Sequence, residues 1–360
     1  MSLSAGIVGL PNVGKSTLFN ALLKRQVALA ANYPFATIDP NTGVVPVPDD
    51  RLETLAKVVG TTVIKPATMS FVDIAGLVKG ASEGEGLGNQ FLANIRETDL
   101  VCHVVRGFTD SAILREGSTD PASDKEIIET ELLLADLATL EKQKPPKATK
   151  EKDALFRWSV IEEMLAAVRH GSAVATVLDT PEKKQIGREL GLISAKTVIY
   201  VVNVDEDVVG DQDVQTAKFA QLLGVHAEQV VIISAKIESE IATLSDEDAR
   251  IFLAELGLSK SGLERLIQKV FDQLGLQTYL TAGELEVRAW TIHKGDFAPQ
   301  AAGVIHTDFE KKFIKAKVAS YADFILLDGW KGTKEKGKQR LEGKDYEMQP
   351  DDVVEFMIGA

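Results

Sequence analysis

The stretch GLPNVGKS, residues 9–16, follows the GxxxxGK[ST] pattern and decides the fold of the N-terminal part of the chain. In this pattern, backbone N–H groups of a glycine-bearing loop surround phosphate groups, and the positive end of the following helix points at them. Lys15 reaches the β- and γ-phosphates, and the Ser16 hydroxyl is placed to bind Mg²⁺. An apolar run precedes the stretch and a helical pattern follows it. The sequence therefore predicts a P-loop that binds a nucleoside triphosphate.

Four further apolar runs, mostly separated by helical stretches, predict an α/β fold with a parallel sheet and helices on both faces. The runs cover residues 70–72, 100–105, 198–202 and 230–233. About 90 residues separate the second run from the third, whereas a βαβ unit takes about 30. The intervening sequence has helical spacing, interrupted by two prolines. We expect an inserted antiparallel helical hairpin over 124–195, which either packs against the core or protrudes toward a partner.

The C-terminal part of the chain changes character near residue 277. Residues 284–292 and 353–358 are typical of strands, and residues 306–313 of a short helix. We therefore predict a nucleotide-binding domain over 1–277, which contains the hairpin, and a separate small α+β domain over 278–360.

Composition restricts the class of protein. The chain has 360 residues, enough for roughly two domains, and a net charge of -13, which argues against a surface that binds nucleic acid throughout. Its single cysteine, Cys102, cannot form an intrachain disulfide, as suits a reducing compartment. No apolar stretch reaches the length of a membrane span, and residues 1–10 lack the features of a secretory signal. We expect a soluble, cytoplasmic protein with no membrane partner.

Three residues are candidate Mg²⁺ ligands. Asp73 begins the stretch DIAG after an apolar run, where a Walker-B-type partner of Mg²⁺ must lie. Thr37, in a proline-bounded loop, could complete the coordination when a triphosphate is bound, and Thr42 is a nearby alternative. The predicted metal site therefore consists of Ser16, Thr37 and Asp73. The glycine-rich residues 80–88 predict either a mobile switch segment or an ordinary flexible loop.

The nucleobase should be recognised where run 198–202 ends. The usual guanine reader is NKxD, whose carboxylate accepts hydrogen bonds from guanine N1–H and N2–H₂. Here Val204 follows Asn203 in place of the lysine, and Glu206 replaces the aspartate. Because adenine reverses the donors and acceptors, the sequence predicts loss of strict guanine specificity without by itself establishing ATP. The stretch SAK, residues 234–236, is typical of the loop on the other side of the base, although so short a motif also arises by chance.

The residue after DxxG bears on the rate of hydrolysis. Many GTPases place a glutamine there to orient the attacking water. This chain has Leu77, and a leucine cannot position water. Slow hydrolysis is expected unless another side chain, an ion or a partner supplies the missing function.

Several of these stretches together resemble the YchF/Obg-like ATPase family, a branch of the Obg-related GTPases, over nearly the whole chain. They are GLPNVGKST, NYPFATIDPN, DIAGLVKGASEGEGLGNQF, the NxxE form at 203–206 and, near the C-terminus, RAWTIHKGDFAPQAAGVIHTDFEKKF. The resemblance implies a Ras-like P-loop domain with a helical coiled-coil insertion and a C-terminal TGS domain of ubiquitin-like β-grasp fold.

The resemblance also implies an activity and partners. ATP would be preferred over GTP and hydrolysed to ADP with Mg²⁺, by a monomer that associates with the large ribosomal subunit and the 70S-type particle and regulates translation or stress responses. A basic run could contact rRNA phosphates, or it could be a solvated loop, because acidic residues are interleaved. The run consists of Lys331, Lys334, Lys336, Lys338, Arg340 and Lys344.

The resemblance also implies which residues of this sequence bind the nucleotide, namely residues 12–17 at the phosphates and residues near 204 at the base. The candidate nucleotide-binding residues are Asn12, Val13, Gly14, Lys15, Ser16, Thr17, Asn203, Val204, Glu206, Ser234, Ala235 and Lys236. The candidate catalytic residues are Lys15 and Arg115. Some family members carry a histidine, proposed to be catalytic, near the place of Arg115. Either arginine substitutes electrostatically, or that proposal does not apply here. His103, inside an apolar run, is expected in the core.

Three functions compete at this point. The first is a slow, partner-stimulated ATPase switch on the ribosome. The second is a binding module in which the nucleotide is structural. A small-molecule kinase is disfavoured, because DxxG and NxxE lie at the ends of successive strands and the sequence contains no arginine-rich lid.

Overall fold

The computed structural model describes residues 3–30, 41–74, 87–109, 120–147 and 151–359 and forms two compact units. The first unit comprises Met1–Val45 and Ser70–Leu266, and the second comprises Pro46–Met69 and Ile267–Ala360. The sequence prediction assigned all of 1–277 to the nucleotide-binding domain. The structure instead places 46–69 and 267–277 in the second unit, because 46–69 supplies a strand to the second sheet.

Twelve strands are formed by the described residues. They are β1 (Ser4–Val8), β2 (Thr42–Pro46), β3 (Ile64–Lys65), β4 (Thr68–Asp73), β5 (Leu100–Arg106), β6 (Thr197–Asn203), β7 (Val230–Ile233), β8 (Leu276–Ala282), β9 (Val287–His293), β10 (Phe313–Ser320), β11 (Arg340–Glu342) and β12 (Asp352–Ile358).

The same residues form fourteen α-helices. They are α1 (Lys15–Ala30), α2 (Arg51–Val59), α3 (Leu87–Glu97), α4 (Pro121–Leu140), α5 (Lys152–Arg169), α6 (Pro181–Glu189), α7 (Gln212–Leu223), α8 (Ala235–Ile241), α9 (Asp246–Glu255), α10 (Gly262–Gln273), α11 (Ala298–Ile305), α12 (Thr307–Lys311), α13 (Tyr321–Leu326) and α14 (Trp330–Glu335). Within the described ranges, no helix is long and apolar enough to cross a membrane.

The first unit is built on a six-stranded sheet with the order β2-β4-β1-β5-β6-β7. Strand β1 pairs in parallel with β4 and β5, and β5–β6 and β6–β7 are also parallel pairs. Every residue of β5 is buried, as expected for a strand covered on both faces. The predicted parallel sheet is confirmed for these strands, and their carboxyl ends meet at one edge.

The helical insertion has its own small core. Apolar residues of α4, α5 and the segment that follows them pack together, among them Leu140, Met164 and Val168. In a tightly connected antiparallel hairpin, the end of α4 would face the start of α5. Here Glu141, directly after α4, pairs with Arg169, the last residue of α5, at 3.1 Å. The end of α4 therefore lies near the end of α5.

A buried carboxylate joins this insertion to the chain that leads into β6. Asp136 accepts hydrogen bonds from the backbone N–H groups of Ile193 (2.8 Å) and Ser194 (2.7 Å) and from the Ser194 hydroxyl (2.6 Å). Burial raises the pKa of Asp136, and these hydrogen bonds oppose the shift. Because the three donors are satisfied by one side chain, Asp136 holds the end of the insertion in place.

The second unit contains a mixed sheet with the order β11-β10-β12-β8-β9-β3. The central pair β12–β8 and the edge pair β3–β9 are parallel, and the other described pairs are antiparallel. Alanines of α11 pack on one face, where the buried Tyr279 hydroxyl donates to Ala301 O at 2.9 Å. Strands β9 and β12 and helix α12 lie close to their predicted positions, whereas β8, β10 and β11 were not predicted.

We expect Asp136→Ala to lower the free energy of unfolding by about 2 to 4 kcal/mol, because it leaves three donors without an acceptor in a buried place. Chemical denaturation monitored by circular dichroism measures the change. Glu126→Ala removes an exposed carboxylate from the same helix and should stay within about 0.5 kcal/mol of the unsubstituted protein. An equal effect of both substitutions would contradict this role.

Candidate nucleotide-binding site

A cavity of about 1020 Å³ opens at the carboxyl ends of the strands of the first sheet. This is the edge at which open parallel α/β sheets bind ligands. Residues of the P-loop, of the turn after β6 and of the start of α8 line it. The lining residues are Pro11, Asn12, Gly14, Lys15, Ser16, Thr17, Phe108, Asn203, Val204, Asp205, Glu206, Asp207, Ser234, Ala235, Lys236 and Ser239.

The structure brings nearly all of the predicted nucleotide-binding residues to this one cavity. Val13 is the exception, because its side chain is buried beneath the loop. Asp73 is not among the lining residues. Thr37, Leu77 and Arg115 lie outside the described residues, so their predicted roles remain predictions.

The P-loop backbone requires a glycine at position 14. Gly14 has a φ of +100°, and a Cβ atom there would overlap the side-chain amide nitrogen of Asn203. Asn12 has a φ of 63°, in the left-handed region that asparagine tolerates better than most residues. The second glycine of the motif is therefore determined both by the turn and by the close approach of Asn203.

Asn203 connects the P-loop to the SAK stretch. Its Nδ2 donates to Val13 O at 2.9 Å, and its Oδ1 accepts from the backbone N–H of Ala235, also at 2.9 Å. The sequence prediction assigned Asn203 to the nucleotide. The structure shows that its amide bonds to the backbone on both sides, so it positions the two loops that would hold the nucleotide.

Lys15 lies inside the P-loop with only 8% of its surface exposed. Its ammonium group donates to Gly9 O at 2.6 Å and to Leu10 O at 3.2 Å. Burial lowers the pKa of Lys15, and the nearby charge of Asp73 opposes the shift. A partly desolvated cation beside exposed backbone of a helix N-terminus is suited to bind phosphate.

Asp73 lies at the end of β4 with one oxygen unsatisfied. Its Oδ1 is buried and accepts no hydrogen bond from the described residues. Burial raises the pKa of Asp73, and Lys15 opposes the shift. A buried carboxylate oxygen without a partner is costly, and oxygen ligands are those that Mg²⁺ prefers. Asp73 and the exposed hydroxyl of Ser16 therefore fit a magnesium ion.

The base end of the cavity is formed by the turns after β6 and β7. Val204 is 2% exposed, and its backbone N–H donates to Ile233 O at 2.8 Å. Glu206 and Lys236 face each other, with Lys236 Nζ 2.7 Å from Glu206 Oε1. The NxxE and SAK stretches thus lie side by side, as their positions after adjacent strands predict.

Sequence reasoning missed the residues that follow β5. Phe108 lines the cavity, and the Arg106 guanidinium lies 4.3 Å from the centre of its ring. Asp205 accepts from the backbone N–H of Thr109 at 3.0 Å and from its hydroxyl at 2.9 Å. The sequence could have indicated them, because residues that follow a predicted parallel strand must lie at the same edge of the sheet as the other strand ends.

His103 is buried in β5, as expected from its apolar surroundings. Its ring centre lies 5.7 Å from that of Tyr200. Burial, with smaller contributions from Lys125 and Lys15, lowers the pKa of His103 to about 3. The imidazole is therefore neutral in the folded protein at neutral pH.

The sequence comparisons identify the family. Three relatives carry the name "Ribosome-binding ATPase YchF". The protein of Bacillus subtilis is 48% identical over 367 residues, that of Haemophilus ducreyi 51% over 366, and that of Escherichia coli O157:H7 49% over 366. Each comparison covers 100% of both chains. The chain belongs to the YchF family.

Family models and a solved structure agree with this assignment. A model described as "50S ribosome-binding GTPase" matches residues 4–135, and the model of the YchF-type C-terminal domain, described as "Protein of unknown function", matches residues 276–359. The structure of the Schizosaccharomyces pombe YchF GTPase is 36% identical, with a TM-score of 0.85 over 99% of this chain and 98% of that one. The resemblance stated from the sequence is confirmed, and the protein is a P-loop nucleoside triphosphatase of this family.

We expect His103 to make stability depend on pH. The pKa of His103 is lower in the folded than in the unfolded state. Its contribution to the free energy of unfolding is therefore fully present above about pH 6.5 and is lost as the pH falls toward 3. Between these values the loss approaches about 1.4 kcal/mol per pH unit. Denaturation at pH 7.0 and 5.5 should show a smaller change for His103→Phe than for the unsubstituted protein. His170→Gln, at an exposed histidine, should behave like the unsubstituted protein, and identical pH dependence in all three would refute the assignment.

Proposed function

We propose that the protein is a Mg²⁺-dependent ATPase that prefers ATP to GTP, hydrolyses it slowly to ADP and acts as a nucleotide switch on the ribosome. The relatives named "Ribosome-binding ATPase YchF" support both the ATPase activity and the ribosomal partner. A family model and a solved relative carry GTPase in their names instead. The choice between the bases therefore depends on this chain's own base site.

The base site is the observation that carries the preference for ATP. The turn after β6 presents Glu206 where guanine-specific proteins have a shorter aspartate, and Val204, two residues earlier, is only 2% exposed. A buried valine cannot extend over the base as a lysine does. A carboxylate that is one methylene longer and is paired with Lys236 is poorly placed for the guanine edge.

The phosphate end supports a magnesium-dependent triphosphatase. Lys15 and the P-loop N–H groups would hold the phosphates, and Ser16, Asp73 and Thr37 would hold the ion. When bound, Mg²⁺ neutralises charge that develops on the phosphate oxygens. Lys15 contributes a charge that is already partly desolvated, so its interaction with phosphate is stronger than in open water.

Slow hydrolysis follows from what lines the cavity. Among the described lining residues there is no glutamine or histidine to orient an attacking water, and the sequence has Leu77 after DxxG. Asp205, which does line the cavity, already accepts two hydrogen bonds from Thr109. We therefore propose that a ribosomal partner stimulates turnover, and Arg115 stays a candidate for an electrostatic role.

The second unit supports the TGS assignment. A central parallel pair flanked by antiparallel neighbours, with helix α11 packed on one face, is the arrangement expected of a β-grasp sheet. In the basic run, Lys338 lies 3.6 Å from Asp323, and Arg340 lies 3.4 Å from Asp352. Exposed Lys331, Lys334, Lys336 and Lys344 are the members that we propose for contact with rRNA phosphates. We further propose a cytoplasmic monomer.

Calorimetric titration of the full chain with non-hydrolysable ATP and GTP analogues plus Mg²⁺ tests the base preference. ATP should bind more tightly, and Glu206→Asp should move the ratio toward GTP by about three- to tenfold, in line with the net value of a typical intramolecular hydrogen bond. Val204 is left unchanged, because a lysine there would be buried. Tighter binding of GTP by the unsubstituted protein would refute the proposed preference.

Single-turnover hydrolysis with and without ribosomes tests the catalytic proposal. The unsubstituted protein should turn over slowly and faster with ribosomes, and Lys15→Met should weaken triphosphate binding by at least about tenfold, because it removes a charged phosphate donor. Lys15→Met should not lower the free energy of unfolding, because it also removes a partly desolvated charge. Absence of hydrolysis in both conditions would favour a binding module in which the nucleotide is structural.

A further inference from the structure

The pair between Glu206 and Lys236 bridges the two loops at the base end of the cavity. Glu206 begins the 3₁₀ turn Glu206–Val208 after β6, and Lys236 lies in the first turn of α8 after β7. Lys236 Nζ is 2.7 Å from Glu206 Oε1, and both residues line the cavity. The pair thus joins two segments that are distant in sequence at the place where a base would lie.

The backbone beneath the pair is held in place by the sheet. Asn203 opposes Ile233 in the parallel β6–β7 ladder, and its Oδ1 accepts from Ala235 N–H at 2.9 Å. Val204 N–H donates to Ile233 O at 2.8 Å. These hydrogen bonds fix the backbone that carries Glu206 and Lys236. The two side chains can therefore pair by rotation about their own bonds.

The pair changes what the carboxylate can offer to a base. Guanine presents two donors side by side, N1–H and N2–H₂, and a free carboxylate accepts both with its two oxygens. Lys236 Nζ, 2.7 Å from Glu206 Oε1, takes one of the lone-pair sites of that oxygen and crowds the approach of a second donor to it. Adenine presents only one donor group on its Watson–Crick edge, the 6-amino group, and the other oxygen of Glu206 suffices for it.

We propose that Lys236 is a determinant of base selectivity, because its ammonium group competes for Glu206 Oε1 and so weakens the paired acceptance that guanine requires. The inference rests on the proposed function in one respect, namely that the base lies between the turns after β6 and β7. It adds a residue outside the NxxE stretch and a physical reason for its effect.

The size of the effect is limited by solvent. The side chains of Lys236 and Glu206 are 69% and 42% exposed, and exposed ion pairs contribute up to about 1 kcal/mol, which corresponds to about fivefold in affinity. Asp205 and Asp207 also line the cavity, so loss of the lysine charge weakens binding of every triphosphate. The informative quantity is therefore a ratio of affinities between nucleotides.

The experiment compares GTP, ITP and ATP analogues with Mg²⁺ on the full chain by calorimetric titration. ITP has the guanine edge without the 2-amino group, so the GTP:ITP affinity ratio isolates the second donor. The unsubstituted protein should bind GTP and ITP alike. Lys236→Met, and likewise Lys236→Ala, should raise the GTP:ITP ratio by about two- to fivefold, and Lys236→Arg should not.

Two controls separate this role from a general charge effect. Lys183→Met removes a lysine that also lies 2.7 Å from a glutamate, Glu163, but does not line the cavity, and it should change no ratio. Adding Glu206→Gln to Lys236→Met should abolish the gain for GTP. An unchanged GTP:ITP ratio in Lys236→Met and Lys236→Ala would overturn the inference. The proposed preference for ATP is judged separately, from the ATP:GTP ratio of the unsubstituted protein.

Discussion

The site depends on the side chain of Asn203. One amide group donates to the P-loop at Val13 and accepts from the loop at Ala235, and its nitrogen approaches Gly14 so closely that no side chain fits there. Phosphate and base subsites are thereby held at a constant separation. Because Asn203 is paired with neighbouring strands on both sides at the end of β6, its amide transmits the rigidity of the sheet to two loops that have little regular structure of their own.

The charges near the phosphate end are arranged for a ligand rather than for stability of the free chain. Lys15 is nearly enclosed and donates to two loop carbonyls, and Asp73 keeps one buried oxygen without a partner among the described residues. Burial lowers the pKa of Lys15 and raises the pKa of Asp73, and the charge of each group opposes the pKa shift of the other. In the proposed function, a triphosphate with Mg²⁺ would supply the opposite charge to both groups, so its binding would relieve a cost that folding imposes.

The base end follows a different principle. Glu206 and Lys236 remain partly in solvent and satisfy each other, so their charge is tolerated without a ligand. In the proposed function, selectivity there would come from the hydrogen-bond acceptors and donors that stay available to the base. The names of the relatives divide in the same place, because the Bacillus subtilis protein is named an ATPase and the Schizosaccharomyces pombe protein a GTPase.

Local sequence alone predicted the P-loop, five of the six strands of the first sheet, the helical insertion and most of the residues that meet at the cavity, because strand ends, glycine turns and apolar periodicity are short-range properties. Only the tertiary structure decided that 46–69 joins the second unit, that the end of α4 lies near the end of α5, that Phe108 lines the cavity, and that Asn203 bonds to backbone while Lys236 pairs with Glu206. These facts depend on contacts between residues distant in the chain, and no local pattern encodes the distance between two side chains that approach only when the sheet has formed.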